Sequence, residues 1–153
     1  MFAGVTIFDD LRASHEIQRA LARTLTHARS SAEKRRAAFL ALARELDAHA
    51  TAEERHLYVP LLLEDAGLHV SRHALADHHK AEKLVDQLRG VDPTTPLFGD
   101  LAKDLATEVR DHLDEEEHGT FQLAGKLLSK TRQQQLAKAY RAEYASRGGP
   151  HTI

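Results

Sequence analysis

The sequence predicts an all-α protein, an up-down-up-down four-helix bundle with a short C-terminal fifth helix. Three observations support this fold class. Apolar residues recur with the helical period along most of the 153 residues, and no segment shows the alternation of a strand. Capping residues and short loops divide the chain into helix-length segments. We expect one bundle domain over residues 1–146 and a disordered tail over residues 147–153.

The first two helices have clear start signals. Thr6 and Asp9 stand three residues apart and predict the cap of a first helix that reaches about residue 29. Ser30 and Glu33 have the same spacing and predict the start of a second helix. The apolar positions of this second helix keep the helical period and stop near Gly67, where we expect it to end.

The remaining three helices are separated by a loop and a capping serine. A third helix is predicted over residues 70–89, and residues 90–96 have the composition of a loop. Thr95 is the predicted N-cap of the fourth helix, and Pro96 is its first residue because proline is favoured there. We expect this helix to reach about Leu128. Ser129 then caps a fifth helix that ends near residue 145.

Composition argues against several classes of function. A formal net charge of −2 and a pI near 6.6 argue against a general binder of nucleic acid or anionic membranes. The chain has no cysteine, which excludes disulfides, thiolate catalysis, Cys-bound zinc and iron–sulfur clusters. No apolar run approaches a membrane span, and the first residues lack the basic region of a signal peptide, so we expect a cytoplasmic protein.

One set of potential metal ligands occurs twice in the chain. Each copy has a lone histidine and, 34 residues later, the first residue of a His-x-x-x-Glu pair. The two copies lie 63 positions apart and consist of His15, His49 and Glu53, and of His78, His112 and Glu116. Framework positions repeat at the same offset, namely Leu21/Leu84, Leu25/Leu88, Leu42/Leu105, Leu46/Val109, Glu54/Glu117 and Tyr58/Phe121. The sequence therefore contains a duplicated helical hairpin that carries half of a metal site.

The two copies are expected to point into the bundle at one depth. Residues four apart on a helix lie about 40° from one another, so each His-x-x-x-Glu pair shares a face. Leu42 precedes His49 on the inward face, and Leu105 precedes His112 in the same way. With a rise of about 1.5 Å per residue, His15 and His49 reach a similar level on antiparallel helices.

Chemistry explains why these residue types occur together. Two histidines and one carboxylate with open positions form the ligand pattern associated with non-heme Fe(II). Each half supplies one such set, so the sequence favours two metals that share the two carboxylates as bridges. Ferritin-like carboxylate proteins use Glu-x-x-His, and the reversed order here argues against that class. A hydrogen-bonded polar layer without metal is the alternative, but it would leave much buried polarity unpaired.

The four helices carry motifs that resemble those of the hemerythrin-like HHE cation-binding domains. The motifs are ASHEIQRALARTL around His15, HATAEERHLYVPLL from His49, ADHHKAEKLVDQL around His78 and HLDEEEHGTF from His112. The resemblance covers about residues 8–128. It implies a hemerythrin-like bundle in which His15, His49, Glu53, His78, His112 and Glu116 hold two iron ions as an oxo- or hydroxo-bridged di-iron centre.

The resemblance also shapes the expected function. Oxygen-carrying hemerythrins place a second histidine four residues before the ligand on the third helix, where this chain has Ala74. We therefore expect both irons to remain accessible and to handle small oxidants or diatomics such as O2, peroxide or NO. The alternative is iron storage, delivery or sensing, because the ligand set resembles the di-iron domain of repair-of-iron-centres proteins. No catalytic residue is identifiable, so enzymatic turnover of peroxide or NO is left open.

Other residues leave alternatives open at the site. His73, His79 or Tyr58 is an alternative or additional ligand, and Glu115 or Glu117 is a candidate for orienting a histidine. The expected partner is a small diatomic molecule or peroxide, with no nucleic acid and no membrane. The sequence names no protein partner.

Overall fold

The computed structural model describes residues 4–150, and every regular element in that range is helical. The predicted four-helix bundle with a fifth C-terminal helix is confirmed. The five long helices, numbered one to five in chain order, span Ile7–Thr26, Ala32–Glu53, Leu68–Arg89, Pro96–Glu115 and Lys130–Ser146. A short 3-10 turn, Asp65–Gly67, leads into the third helix. In the described range no helix has both the length and the apolar character needed to cross a membrane.

Three of the five predicted helix starts are confirmed, the second helix starts one residue later than predicted, and the third begins at Leu68 rather than near residue 70. The Asp9 carboxylate accepts a hydrogen bond from the backbone N–H of Thr6 at 2.9 Å. The prediction for the second helix was wrong by one residue, because Ser31 is the N-cap and accepts from the backbone N–H of Lys34. Ser30 instead donates its hydroxyl to the carbonyl of Thr24, which closes the preceding turn. Because Ser30 and Ser31 are adjacent and either side chain can cap a helix, the sequence pattern could not distinguish between them.

The second and fourth helices both pass into a π-helical turn directly after the His-x-x-x-Glu motif. These turns span Glu54–Tyr58 and Glu116–Thr120, and each is followed by a further helical segment, Val59–Leu62 and Phe121–Leu127. In each turn the backbone N–H that follows it donates to a carbonyl five residues earlier. The sequence pattern did not predict these turns. π-helical turns are rare in proteins, but where they occur they frequently lie at functional sites.

The six repeated polar residues lie between two apolar clusters. One cluster contains Ile7, Leu11 and Ala48 together with residues of the fifth helix, and the other contains Leu25 and Leu42. Along each of the first four helices the repeated histidine stands between residues of the two clusters. The bundle therefore has a polar layer at one depth, closed on both sides by packed side chains.

The fifth helix packs against the first two helices. Arg141 donates to the Asp10 carboxylate at 2.7 Å, and Tyr144 donates to the buried carboxylate of Glu45 at 2.7 Å. At the surface, Arg55 and Glu143 of the fifth helix form a further ion pair at 2.7 Å. This packing covers the first half of the duplicated unit. Residues 151–153 of the predicted tail lie outside the described range, and the domain boundary stays a prediction.

Candidate metal centre

The structure brings all six repeated residues together. They form two overlapping groups, His15/His49/Glu53/Glu116 and Glu53/His78/His112/Glu116, and the ligand atoms within each group lie within 4.8 Å of one another. Each histidine pair comes from one half of the duplication, and both carboxylates belong to both groups. The repeat and the chemistry of the side chains had predicted that these six residues converge with both carboxylates between the histidine pairs; that they hold two metals stays a prediction.

The carboxylates lie between the two histidine pairs. Glu53 places one oxygen 3.1 Å from Nε2 of His49 and the other 3.3 Å from Nε2 of His78. Glu116 places Oε1 3.3 Å from Nε2 of both His15 and His112. Ligand atoms held about 2.0–2.2 Å from a tetrahedral metal are about 3.3–3.6 Å apart. The spacing between these side chains is therefore close to that of atoms that share a metal.

The centre collects buried polar atoms that have no hydrogen-bond partner. Five of the six such side-chain atoms in the described residues belong to it, namely His15 Nε2, His49 Nε2, both oxygens of Glu53 and Glu116 Oε1. A buried polar atom without a partner costs about 1–3 kcal/mol, and without a metal only the imidazole–carboxylate contacts at 3.1–3.3 Å would offset this cost. Borderline divalent metals bind imidazole and carboxylate, and two of them would satisfy these atoms. The residues present fit a two-metal centre.

Each imidazole is held from behind through its other nitrogen. In three cases the partner of Nδ1 is a carboxylate, which fixes the ring orientation and makes the inward nitrogen a better ligand. The three pairs are His15 with Glu117 at 2.6 Å, His78 with Glu54 at 2.8 Å and His112 with Asp77 at 3.2 Å. Glu54 and Glu117 are repeat equivalents, and each supports the histidine of the other half. The prediction that Glu117 orients a histidine matches this contact.

The fourth imidazole, His49, has a different kind of partner. Its Nδ1 lies 3.2 Å from the hydroxyl of Tyr140 on the fifth helix. The repeat equivalent of Asp77 is Ser14, whose short side chain contacts Glu45 instead. Tyr140 thus does for His49 what Asp77 does for His112. The sequence offered no signal for this role, because Tyr140 lies outside the duplicated unit.

The π-helical turns aim an aromatic ring at the centre in each half. In a regular α-helix Tyr58 would lie about 140° away from Glu53, whereas a π turn brings a residue five positions on back to a similar face. Tyr58 is fully buried and donates its hydroxyl to Glu116. Its equivalent, Phe121, stacks on His15 with ring centres 5.7 Å apart. Tyr58 therefore contacts a candidate ligand through its hydroxyl.

The acidic and basic groups of the centre reinforce each other's charge. Burial lowers the pKa of His15, but Glu116 and Glu117 overcome this effect and raise it to about 9. Burial also lowers the pKa of His78, but Glu53 and Glu54 outweigh this effect and raise that pKa to about 10. Burial works to raise the pKa of Glu53, yet His49 and His78 hold it well below its usual value. A metal that binds here must displace protons from imidazoles.

The alternative histidine ligands lie outside the centre. His73 has a side chain that is 53% exposed and contacts Asp77 and Glu115. His79 is 63% exposed and lies 3.7 Å from Glu82. Neither belongs to the two central groups.

Two cavities reach the centre, one lined by residues of both halves and one lined by the second half alone. A groove of about 610 Å³ is lined in part by His49, His78 and His112. A second cavity of about 290 Å³ is lined by Ala74 and extends to His112 and Glu116. His15 lines neither of them.

The second cavity follows from a divergence between the halves. Ala74 is the repeat equivalent of Leu11, which is fully buried in the first half. Gly119 and Thr120 on the same cavity wall replace His56 and Leu57 of the first half. The two halves therefore differ in the cavities beside them, while the groove lined by His49 also reaches the first half. The expectation that both metal positions are accessible stays a prediction.

Comparison with known proteins identifies the family. The sequence matches the Hemerythrin HHE cation binding domain over residues 6–124. The chain belongs to this family. A crystal structure of a hemerythrin HHE cation binding domain-containing protein from Mycobacterium kansasii superposes with a TM-score of 0.80 at 25% identity, and covers 94% of this chain and 88% of that one.

A relative of part of this chain is a protein of Nostoc sp. named DNA nickase. It is 30% identical over 99 residues, which is 65% of this chain. The chain spans only 28% of the length of that relative. The likeness therefore concerns one part of a longer protein.

Proposed function

We propose that this HHE domain binds two iron ions and uses them to handle small oxidants or diatomic molecules such as O2, peroxide or NO. His15 and His49 would hold one iron, His78 and His112 the other, and the two glutamates both. Support comes from the donor set of imidazole and carboxylate, which is the pattern of non-heme iron sites. When bound, iron supplies one-electron redox chemistry and open coordination positions.

The protein side chains prepare this centre in three ways. Carboxylates and Tyr140 fix the histidine rings through Nδ1, so the inward nitrogens are already aimed. Tyr58 donates a hydrogen bond to one oxygen of Glu116. The other oxygen of this carboxylate faces His15 and His112. The two apolar clusters exclude bulk water on both sides of the layer.

The single observation that carries the proposed reactivity is the cavity beside Ala74. It extends to His112 and Glu116, so a small molecule has a path to the metal position of the second half. At the equivalent position of the first half, the fully buried side chain of Leu11 fills this space. A storage site needs no such opening for a diatomic molecule, and an open path beside a ligand favours exchange with small molecules.

We further propose that the partner is a small molecule in the cytoplasm rather than nucleic acid. The formal charge of −2 gives no general attraction to phosphate backbones. The nicking activity in the name of the Nostoc sp. relative belongs to a protein of which this chain spans 28%.

The test is NO binding by the reduced, iron-loaded protein in a stopped-flow spectrophotometer. Ala74→Leu adds three carbon atoms to the cavity and should slow NO binding while iron content stays near two per chain, with the groove lined by His49, His78 and His112 left as the remaining route. Gly125→Ala is the control, because this glycine does not line the cavity and a Cβ there meets no atom within 4 Å. Equal rates in wild type and Ala74→Leu would contradict access by this path. Iron lost readily to a chelator, without NO binding, would favour iron delivery instead.

A further inference from the structure

A second cluster of metal-ligating side chains lies beside the centre. His73, Asp77 and Glu115 each offer one ligand atom, and these atoms all lie within 4.8 Å of one another. Nε2 of His73 is 2.8 Å from Glu115 and 3.4 Å from Asp77. The third and fourth helices supply these residues, so the cluster joins two neighbouring elements of the bundle.

This cluster has no counterpart in the first half. The repeat equivalents of its members are Asp10, Ser14 and Ala52. The fifth helix covers that face, where Arg141 donates to Asp10 at 2.7 Å. The second half has no such cover, since the side chains of His73 and Glu115 are 53% and 56% exposed. The two halves diverged here in both ligand chemistry and access.

The cluster stands at the mouth of the cavity that reaches the centre. His73 and Glu115 line this cavity of about 290 Å³ together with His112. Asp77 is buried and also lies 3.2 Å from Nδ1 of His112, so a single carboxylate touches both the cluster and a central histidine. An ion held here would sit one side chain away from the centre.

We propose that His73, Asp77 and Glu115 form an auxiliary site for a borderline divalent cation such as Zn²⁺ or Fe²⁺. One imidazole and two carboxylates, completed by water, are a ligand set that these cations accept. Ligand atoms about 3.3–3.6 Å apart suit a tetrahedral ion, and the 3.4 Å spacing to Asp77 already matches. The shorter contact to Glu115 opens by a small rotation of two exposed side chains.

This site binds its ion more weakly than the centre. Two of its three ligands are more than half exposed, and their ordering costs side-chain entropy. The central ligands are buried and held from behind by fixed partners. An ion pair between a protonated His73 and the two carboxylates is the rival explanation for the same contacts, and it requires no cation.

The experiment is a Zn²⁺ titration of the protein with its central metals already bound and counted by elemental analysis. The readout is the side-chain ¹⁵N shift of His73 together with the number of bound Zn²⁺ ions. We expect one further, weaker equivalent that shifts His73. His73→Ala and Glu115→Gln should each weaken its binding by more than about tenfold and leave the central metal count unchanged.

Matched controls are His69→Ala and His79→Ala, which remove other exposed imidazoles on the third helix. Both should keep the additional equivalent. The proposal is overturned if wild type takes up no further Zn²⁺, or if His73→Ala binds it as tightly as wild type. Because the central metals are counted before the titration, failure of the auxiliary site is distinguishable from failure of the centre.

Discussion

Removal of one hydroxyl from the fifth helix tests whether that helix belongs to the metal centre. Tyr140 contacts Nδ1 of His49 at 3.2 Å and is 2% exposed. Tyr140→Phe keeps the ring and its stacking with Tyr144, whose centre lies 5.5 Å away, so packing changes little. The variant leaves His49 as the one central histidine without an outer partner.

The expected size of the effect follows from two steps. Loss of an outer partner of a ligating histidine typically lowers metal affinity about 10- to 100-fold. At saturating metal this reduces the metal-linked stabilisation by about 1.4–2.7 kcal/mol. For a chain of this size, about 1 kcal/mol shifts Tm by roughly 2–4 °C. The gap in Tm between metal-loaded and metal-free protein should therefore shrink by about 3–10 °C.

The assay is thermal unfolding of both forms for wild type, Tyr140→Phe and Tyr144→Phe. Tyr144 donates to Glu45 rather than to a central ligand, so its removal tests general loss of a buried hydrogen bond. Tyr144→Phe should lower the Tm of both forms equally. If Tyr140→Phe also lowers both equally, the fifth helix supports the fold but does not orient His49, and the reasoning is wrong.

Two further predictions concern the ligands and the protons they carry. His49→Ala and His112→Ala should each lower the metal content to a similar extent, whereas replacement of the exposed His118 by Ala should leave it nearly intact. The metal content is measured by elemental analysis after desalting. Loss of metal from the His118→Ala variant would mean that the residues assigned as ligands on the fourth helix are wrong. Second, the folded-state pKa of His15 is about 9, against the ordinary 6.5. Its contribution to metal-free stability is thus complete below about pH 6.5 and lost as pH rises through about 9. Metal retention should change in the opposite direction, because the metal displaces that proton. The measurement is the unfolding of metal-free and metal-loaded protein across this pH range. Parallel pH dependences of the two stabilities would contradict this prediction.

The fold and the six candidate ligands were predictable because they depend on periodic information. Apolar spacing gives the helices, and an exact 63-residue repeat gives the histidines and glutamates. Glu54 was within reach as well, since it repeats at Glu117 and both support a histidine. Asp77 had a weaker signal, its position directly before His78.

Other features were beyond sequence patterns for physical reasons. The π-helical turns after Glu53 and at Glu116 add one residue to a helical turn, and no local propensity marks them. The role of Tyr140 depends on how the fifth helix docks, which is a tertiary contact. The cavity beside Ala74 required comparison with Leu11 in the folded bundle, because a small residue alone does not specify an empty volume.

Equal ligands in unequal surroundings lead to a prediction about metal release. The side chains of His15 and His49 are 0% and 3% exposed, whereas those of His78 and His112 are 9% and 10% exposed. A chelator must reach the metal or capture it as it leaves, so the second-half metal should be released first. Release into excess chelator should therefore show two phases of equal amplitude.

The cavity assigns these two phases to the two halves of the duplicated unit. Ala74→Leu should slow the fast phase towards the slow one, because it restores in the second half the closure that Leu11 provides in the first. Leu11→Ala should do the reverse only in part, since the fifth helix still covers that face through Arg141 and Asp10. A single phase in wild type would mean that the metals leave together after a global opening of the bundle. In that case the divergence between the halves would shape the cavities without controlling exchange.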